Sequence, residues 1–459
     1  MALVIRRRQL LQAVGLAAAG SALTGCDSTP STPGSSPSQS PSATSRSPEP
    51  VTNGTDVELW ADDSRYPVSW AEQLSRLASE QTTALRTQVN STSELAAALA
   101  TRFSEGRPPS LVFNGGSDEL SVGQLTQHLV DLTSLAGSAS TAEGNTPIGS
   151  LLRPGTLAAG TVGKRLVAIP YVYTVHGLWY SAELFGEQGW RAPTSWPELM
   201  TLGERAQRDK RFLFCWGRDG ATAYLRMALS MAAKQSGPEV LQALEHLEPK
   251  AWSQPAVQAS LTAVQEAVRA GYVKPGGSQR SWRSAMAAWA SDRSVLLVPC
   301  GSWIGAQIAP GNDFELSVAP DPVLDGKAKL PAAALHAGPD EGFLAPAAAT
   351  NPEAGKALLR VALGRAAASH FAQTNQVIPT RTDALPAIPG PVLTQQLDLV
   401  RAAGEDVFSW RFISHHGTNH DHQVLWNSFL EGTMDVATLT RESQRISDLV
   451  AADPAQARL

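Results

Sequence analysis

Beyond residue 56 the apolar positions fall into short strand-like runs separated by helical spacings. Val57-Glu58-Leu59-Trp60 predicts a strand that opens into the loop Ala61-Asp62-Asp63-Ser64-Arg65, and Leu74 and Leu77 place a helix after it. Leu85 to Val89 predicts a second strand. Ser93 is placed to cap a helix with Leu95, Leu99 and Phe103 on one face. Pro109 to Phe113 predicts a third strand, stopping at Asn114-Gly115-Gly116-Ser117. Strand and helix alternate here, which predicts parallel pairing with helices on both faces. Ligands of such sheets sit beyond the carboxyl ends of the strands, at Trp60–Arg65 and Asn114–Ser117.

The later half repeats the alternation. Leu166 to Ile169 and Tyr171 to Tyr180 are extended runs crossed by Pro170, and Phe212 to Trp216 is a strand. Tyr224 to Ala233 and Val240 to Leu247 are helical, and Val257, Leu261, Val264 and Val268 recur at helical spacing up to Gly271. Trp282, Met286 and Trp289 form a buried helical stripe. Val295 to Val298 is a strand, and Leu316 to Pro320 predicts a return crossing. Asn351 caps a helix whose first residue is Pro352.

The two ends of the chain change this picture. Arg6-Arg7-Arg8, an apolar run to Ala22 and Leu23-Thr24-Gly25-Cys26 follow the basic, apolar, small-residue order of a secretory signal, too short and small to span a bilayer. Arg7-Arg8 with Leu10, Leu11 and Gln12 resembles a twin-arginine signal, and Leu23–Cys26 resembles a lipobox in which Cys26 is acylated. The Ser/Thr/Pro-rich stretch that follows cannot bury enough surface to fold and reads as an extended tether. About 400 residues then remain, too many for one core, so two lobes are expected. The net charge of −5 becomes −8 without the three Arg of residues 1–25, and no basic block survives, which excludes a nucleic-acid partner. Cys215 and Cys300 follow apolar strands and either form a disulfide or stay as two buried thiols.

The stretch 163–200 carries a more specific signal. Gly163-Lys164, Pro170, Trp179-Tyr180-Ser181, Leu184-Phe185, Gly189, Pro193 and Ser195-Trp196 with Glu198-Leu199 resemble the first inter-lobe crossing of family 1 extracellular solute-binding proteins, the receptors of ABC importers. Ser284 and Met286, followed by Gly301-Ser302-Trp303, resemble another of that family's segments. So do Phe371-Ala372 and Ile378-Pro379 with Arg381, although Asn375 or Gln376 stands where the family has Gly. The resemblance covers about residues 56–450. It implies a two-lobed, type II periplasmic-binding-protein-like α/β fold with crossings near 166–174, 315–322 and 380–390. It divides the chain into a signal (1–25), a tether (26–55), lobe 1 (56–165 and 318–382) and lobe 2 (170–315 and 385–455).

No nucleophile elbow, phosphate loop or zinc-protease helix occurs in the sequence. Asp62 and Asp63 would act as a catalytic pair only with a third group to orient them, and otherwise cap a turn. Twelve Trp suit the flat faces of sugars. Trp60, Trp216, Trp303 and Trp410 follow apolar runs and could be platforms or core, whereas Trp70, Trp282, Trp289 and Trp426 lie on helices and read as core. The family resemblance implies ligand contacts at Trp60, Asp62, Asp63, Arg65, Asn114, Tyr173, Thr174, Trp216, Gly301, Ser302, Trp303, His416 and Asn419, and Trp410 joins them as an aromatic platform. The run 415–422 holds His415, His416, His420 and His422 with Asp421, and reads as either a ligand-contact cap or a transition-metal site. His176 and His336 read as ordinary residues. The function expected is a lipid-anchored, monomeric receptor on the outer face of the membrane. It binds a saccharide by hinge closure and docks on ABC permease subunits, without a cofactor. The alternatives are an exported carbohydrate-active enzyme and a receptor for a metal or metal chelate.

Overall fold

The computed structural model describes residues 51–81, 84–140, 145–308 and 314–459. The signal, Cys26 and nearly all of the tether lie outside the described residues. Two mixed sheets organise the rest. The first runs in the order Leu85–Thr92, Thr55–Asp62, Leu111–Asn114, Gly342–Leu344, Ala168–Pro170. Its first three strands are parallel, and Gly342–Leu344 is antiparallel to both neighbours. Along Thr55–Asp62, Val57, Leu59 and Ala61 are buried while Glu58 and Trp60 are half-buried, the period of two that a sheet imposes. Trp70, Phe113, Tyr171, Phe343 and Phe371 interlock over this sheet, with Trp70 and Phe113 ring centres 4.7 Å apart and Tyr171 and Phe371 5.1 Å apart.

The second sheet is built around the long strand Val172–Ser181. Val295–Gly301 pairs with it antiparallel and carries Phe212–Phe214 in parallel on its far side. All seven residues of Val295–Gly301 are buried, as in a central strand covered on both faces. Leu316–Ala319 and Leu335–Pro339 pair with other parts of the long strand. The helix Thr222–Ser236 packs into this lobe's core with Leu225, Met227 and Leu229 buried.

Three local expectations change. The return crossing expected at 315–322 lies further on: Leu316–Ala319 and Leu335–Pro339 both stay in the second sheet, and the chain regains the first between Pro339 and Gly342. Ser93 does not cap the helix Leu95–Ser104. Asp118 takes that role, its Oδ2 accepting from the Ala97 amide at 3.0 Å and its carbonyl from the Ala96 amide at 2.8 Å. Gln376 ends the helix Arg365–Asn375 in the left-handed region (φ 54°), so the turn that the family makes with Gly is kept with a side chain. Asn351 caps Pro352–Ala362 through the Ala354 amide, as its position predicts.

Cys215 and Cys300 are free, buried thiols, so the disulfide alternative is not realised. Among the described residues no helix is long and apolar enough to cross a membrane.

Candidate functional site

A cleft of about 270 Å³ opens between the two sheets. The loop after Thr55–Asp62 forms one wall. Asp62 is buried beneath it and holds the turn: its carboxylate accepts from Ser64 Oγ at 2.7 Å and from the Arg65 amide at 3.2 Å. Gly116 closes over it from the neighbouring loop, where a Cβ would stand 2.1 Å from Asp62 Oδ1. Burial pushes the Asp62 carboxyl up from its ordinary range, against hydrogen bonds that pull it down. Asp62 is therefore a turn residue that does not line the cleft.

This turn aims Arg65 at three other segments. Its guanidinium pairs with Glu341, on the turn between the sheets, and lies over the Trp303 ring at 3.8 Å from the centroid. Thr174 Oγ1, from the long strand of the second sheet, donates to Glu341 Oε2 at 2.8 Å. Wall, crossing and far lobe thus meet at one ion pair. Glu119 lies beside it, its Oε1 unpartnered among the described residues, and burial pushes its carboxyl up to about 8.

Two amides bridge the lobes. Gln307 Nε2 donates to the Ser64 carbonyl at 2.7 Å while its Oε1 accepts from Trp282 Nε1 at 2.6 Å. Asn419 Nδ2 donates to the Ser117 carbonyl at 2.9 Å while its Oδ1 accepts from Thr222 Oγ1 at 2.8 Å. The cleft is held in a closed arrangement by these contacts.

Of the residues expected at the ligand, Asp63, Arg65, Gly301, Trp303 and Asn419 line the cleft. The others are corrected. Trp60 packs against the cluster of Leu95, Leu99 and Phe103, and its Nε1 donates to Glu58 at 2.7 Å. Trp216 is buried with Nε1 on Asn427 at 3.1 Å, and Trp410 stacks on Phe412, ring centres 5.4 Å apart. Asn114 bonds its own loop at Leu120, and Thr174 is spent on Glu341. Tyr173 sits 5.7 Å from the Arg153 guanidinium, and Ser302 Oγ accepts from the Val175 amide. His416 is buried against the Glu245 carbonyl at 3.0 Å.

The histidine run disperses for the same reason. His415 faces the Ala457 carbonyl, His422 is buried against Trp252, and His420 is exposed. Burial pushes His415 and His422 down to about 3 and His416 to about 4. Among the described residues no three His, Cys, Asp or Glu side chains are placed to hold a metal ion.

Sequence reasoning missed Trp282, His176, Arg226, Asp219, Asp321 and Gln307, all of which line the cleft. One signal was present: Thr222, Arg226, Ser230 and Lys234 recur every four residues on an otherwise apolar helix, and all four are buried.

Comparison with known proteins decides the family. Residues 80–395 match the family model described as bacterial extracellular solute-binding protein. The diacetylchitobiose binding protein NgcE of Streptomyces coelicolor is 35% identical over 455 residues, 98% of this chain and 96% of that protein. The chain belongs to the bacterial extracellular solute-binding proteins. Solved structures show the same fold for this family member at low identity. AcbH, a bacterial solute receptor described as preferring β-D-galactopyranose exclusively, aligns with a TM-score of 0.72 and 14% identity over 87% of this chain and all of its own. A chitin oligosaccharide binding protein aligns with a TM-score of 0.71 and 16% identity over 87% and 100%. The solute-binding chain has the two-lobed, periplasmic-binding-protein-like α/β fold.

Proposed function

We propose that this chain is the substrate-binding receptor of an ABC importer and captures a saccharide between its lobes by hinge closure. The observation that carries this reading is the cleft itself, lined from both sheets and bridged by Gln307 and Asn419, so that a ligand there touches both lobes only when they are closed. Trp303 and Trp282 contribute apolar lining beside Asp63, Asn419 and Gln307, a mixture that suits the C–H groups and hydroxyls of a sugar. The names of its relatives point to saccharides, and NgcE makes diacetylchitobiose the first sugar to test. The Arg7-Arg8 signal and the Leu23–Cys26 lipobox support export and a lipid anchor on the outer face of the membrane, with the tether reaching to a permease.

The enzyme alternative loses ground because Asp62, half of the Asp62-Asp63 pair, is engaged in its own turn. The test is thermal unfolding of the full chain in detergent against mono- and oligosaccharides, amino acids and divalent metals. A saccharide that binds only the folded chain raises its stability by about 2.7 kcal/mol at a hundredfold excess over Kd. A shift with a saccharide that is recovered intact is the expected result. No shift with any sugar, or conversion of the sugar, contradicts the proposal.

A further inference from the structure

The segment after the helix Val436–Ala451 leaves its own lobe. That helix belongs to the second lobe, where Leu439 and Val450 join the core around Phe412 and Trp426. Beyond it the chain reaches the first lobe. The Ala457 amide donates to the Gly123 carbonyl at 3.2 Å, and the Ala457 side chain packs against the cluster of Leu120, Leu125 and Leu129. Gln124 Nε2 donates to Asp453 at 3.4 Å. Gly123 makes room for this approach, since a Cβ there would stand 1.7 Å from Gln456 Nε2.

The histidine run supplies the other side of the seat. Burial keeps the His416 ring neutral. Its Nε2 donates to the Glu245 carbonyl at 3.0 Å, which leaves a lone pair on Nδ1, and Gln456 Nε2 donates to that nitrogen at 3.1 Å. His415 Nε2 donates to the Ala457 carbonyl at 2.8 Å. Ser121, which caps the helix Val122–Leu125 of the first lobe, donates from Oγ to the His415 carbonyl at 3.0 Å. Residues 453–457 are thus fastened between a helix of each lobe.

This junction stands off from the crossing at Pro339–Gly342. A cavity of about 60 Å³ is lined both by Asp340 and Glu341 of the crossing and by Val122, Ser414 and His415 of the junction. On its other flank lies the Asn419–Ser117 bridge across the cleft. A contact at the hinge survives rotation of the lobes, whereas one set away from it must stretch or part. We infer that residues 453–459 form a strap that holds the two lobes toward the closed arrangement before any ligand arrives, with Gln456 and Ala457 as its fastening residues. Opening then has to part Ala457 from Gly123 and Ser121 from His415, and a ligand closes lobes that are already drawn together. The strap acts whatever solute the cleft takes.

The experiment is small-angle scattering of the full chain in detergent without ligand, beside a chain stopped at Asp453 and a Gly123→Ala variant whose added methyl group displaces Gln456. Alkylation by iodoacetamide is followed in the same samples at Cys300, which lines the cleft, with Cys215, buried outside it, as the internal reference. One hydrogen bond favours the closed form by about 2- to 10-fold. Both variants are therefore expected to show a larger radius of gyration and alkylation of Cys300 about 3- to 30-fold faster, with Cys215 changed by less than about twofold. An unchanged radius or an unchanged Cys300 rate in the truncated chain overturns the inference, even if that chain unfolds more readily, because the segment would then only patch the surface. If the truncated chain fails to fold, Gly123→Ala decides in its place. A chain that opens on truncation yet binds no saccharide keeps the strap and removes the receptor reading.

Discussion

Arg65 and Arg226 both carry a guanidinium into the junction between the lobes, yet among the described residues only Arg65 is given an acceptor there. Glu341 pairs with Arg65, Trp303 covers its face, and Thr174 fixes the carboxylate from the other side. Among the described residues Arg226 has only the distant Trp410 ring. The difference separates structure from recognition. A guanidinium whose donors are consumed by the protein ties a wall to the crossing strands, whereas one left open toward a cleft has capacity for something brought from outside.

The largest test of that contrast is to break the closed pair. Glu341→Gln leaves the Arg65 charge buried without its counter-charge and is expected to cost about 3–5 kcal/mol in guanidinium unfolding, the range for removing one partner of a buried pair. A loss below about 1 kcal/mol would mean that Arg65 is solvated in spite of its burial.

Glu119 senses both guanidiniums, so its titration sharpens the comparison next. Burial raises its carboxyl to about 8, with Arg65 and Arg226 pulling the other way. The folded state therefore holds this proton longer than the unfolded chain. The stabilisation that it contributes is complete below the unfolded value near 4.3 and is lost as pH rises through about 8, at a limiting slope of about 1.4 kcal/mol per pH unit. Glu119→Gln is expected to flatten that part of the stability curve between about pH 4 and 8 and to leave the variant the more stable form at pH 8. An unchanged slope would contradict the account of this group.

The bridging amides come third. Gln307→Ala and Asn419→Ala each remove one bond across the cleft, worth about 0.5–1.5 kcal/mol to closure. Small-angle scattering of the double variant is expected to show a larger radius of gyration than the parent chain. Last, Arg226→Met removes no internal hydrogen bond, so it is expected to change unfolding by less than about 1 kcal/mol in either direction. A loss matching that of Glu341→Gln would erase the distinction between the two arginines.

The strands were readable because burial on a sheet leaves a period of two, or a continuous apolar run such as Val295 to Val298, in the sequence itself. The aromatic platforms were not. A ring just past a strand can face either way: Trp303 turns to the cleft, while Trp60 bonds Glu58 on its own strand, Trp410 stacks on Phe412 two residues on, and Trp216 reaches Asn427, 211 residues away. Glu341 carries no local signal of its role, because its partner, Arg65, is 276 residues away and no local pattern encodes such a pair. The return crossing was misplaced because Leu316–Ala319 has the composition of any buried strand, and only its pairing assigns it to the second sheet. The i, i+4 stripe of Thr222, Arg226, Ser230 and Lys234 was visible, since four polar residues on one line of an apolar helix need a polar surface to face.

The central claim is that the cleft captures a saccharide and leaves it unchanged. Calorimetric titration of the full chain with diacetylchitobiose and, in separate runs, malto-, cello- and galacto-saccharides reads both halves at once. The account predicts that one sugar binds per chain, with heat returning to baseline after each injection. No heat with any of these sugars, or a sustained heat of turnover, would contradict it.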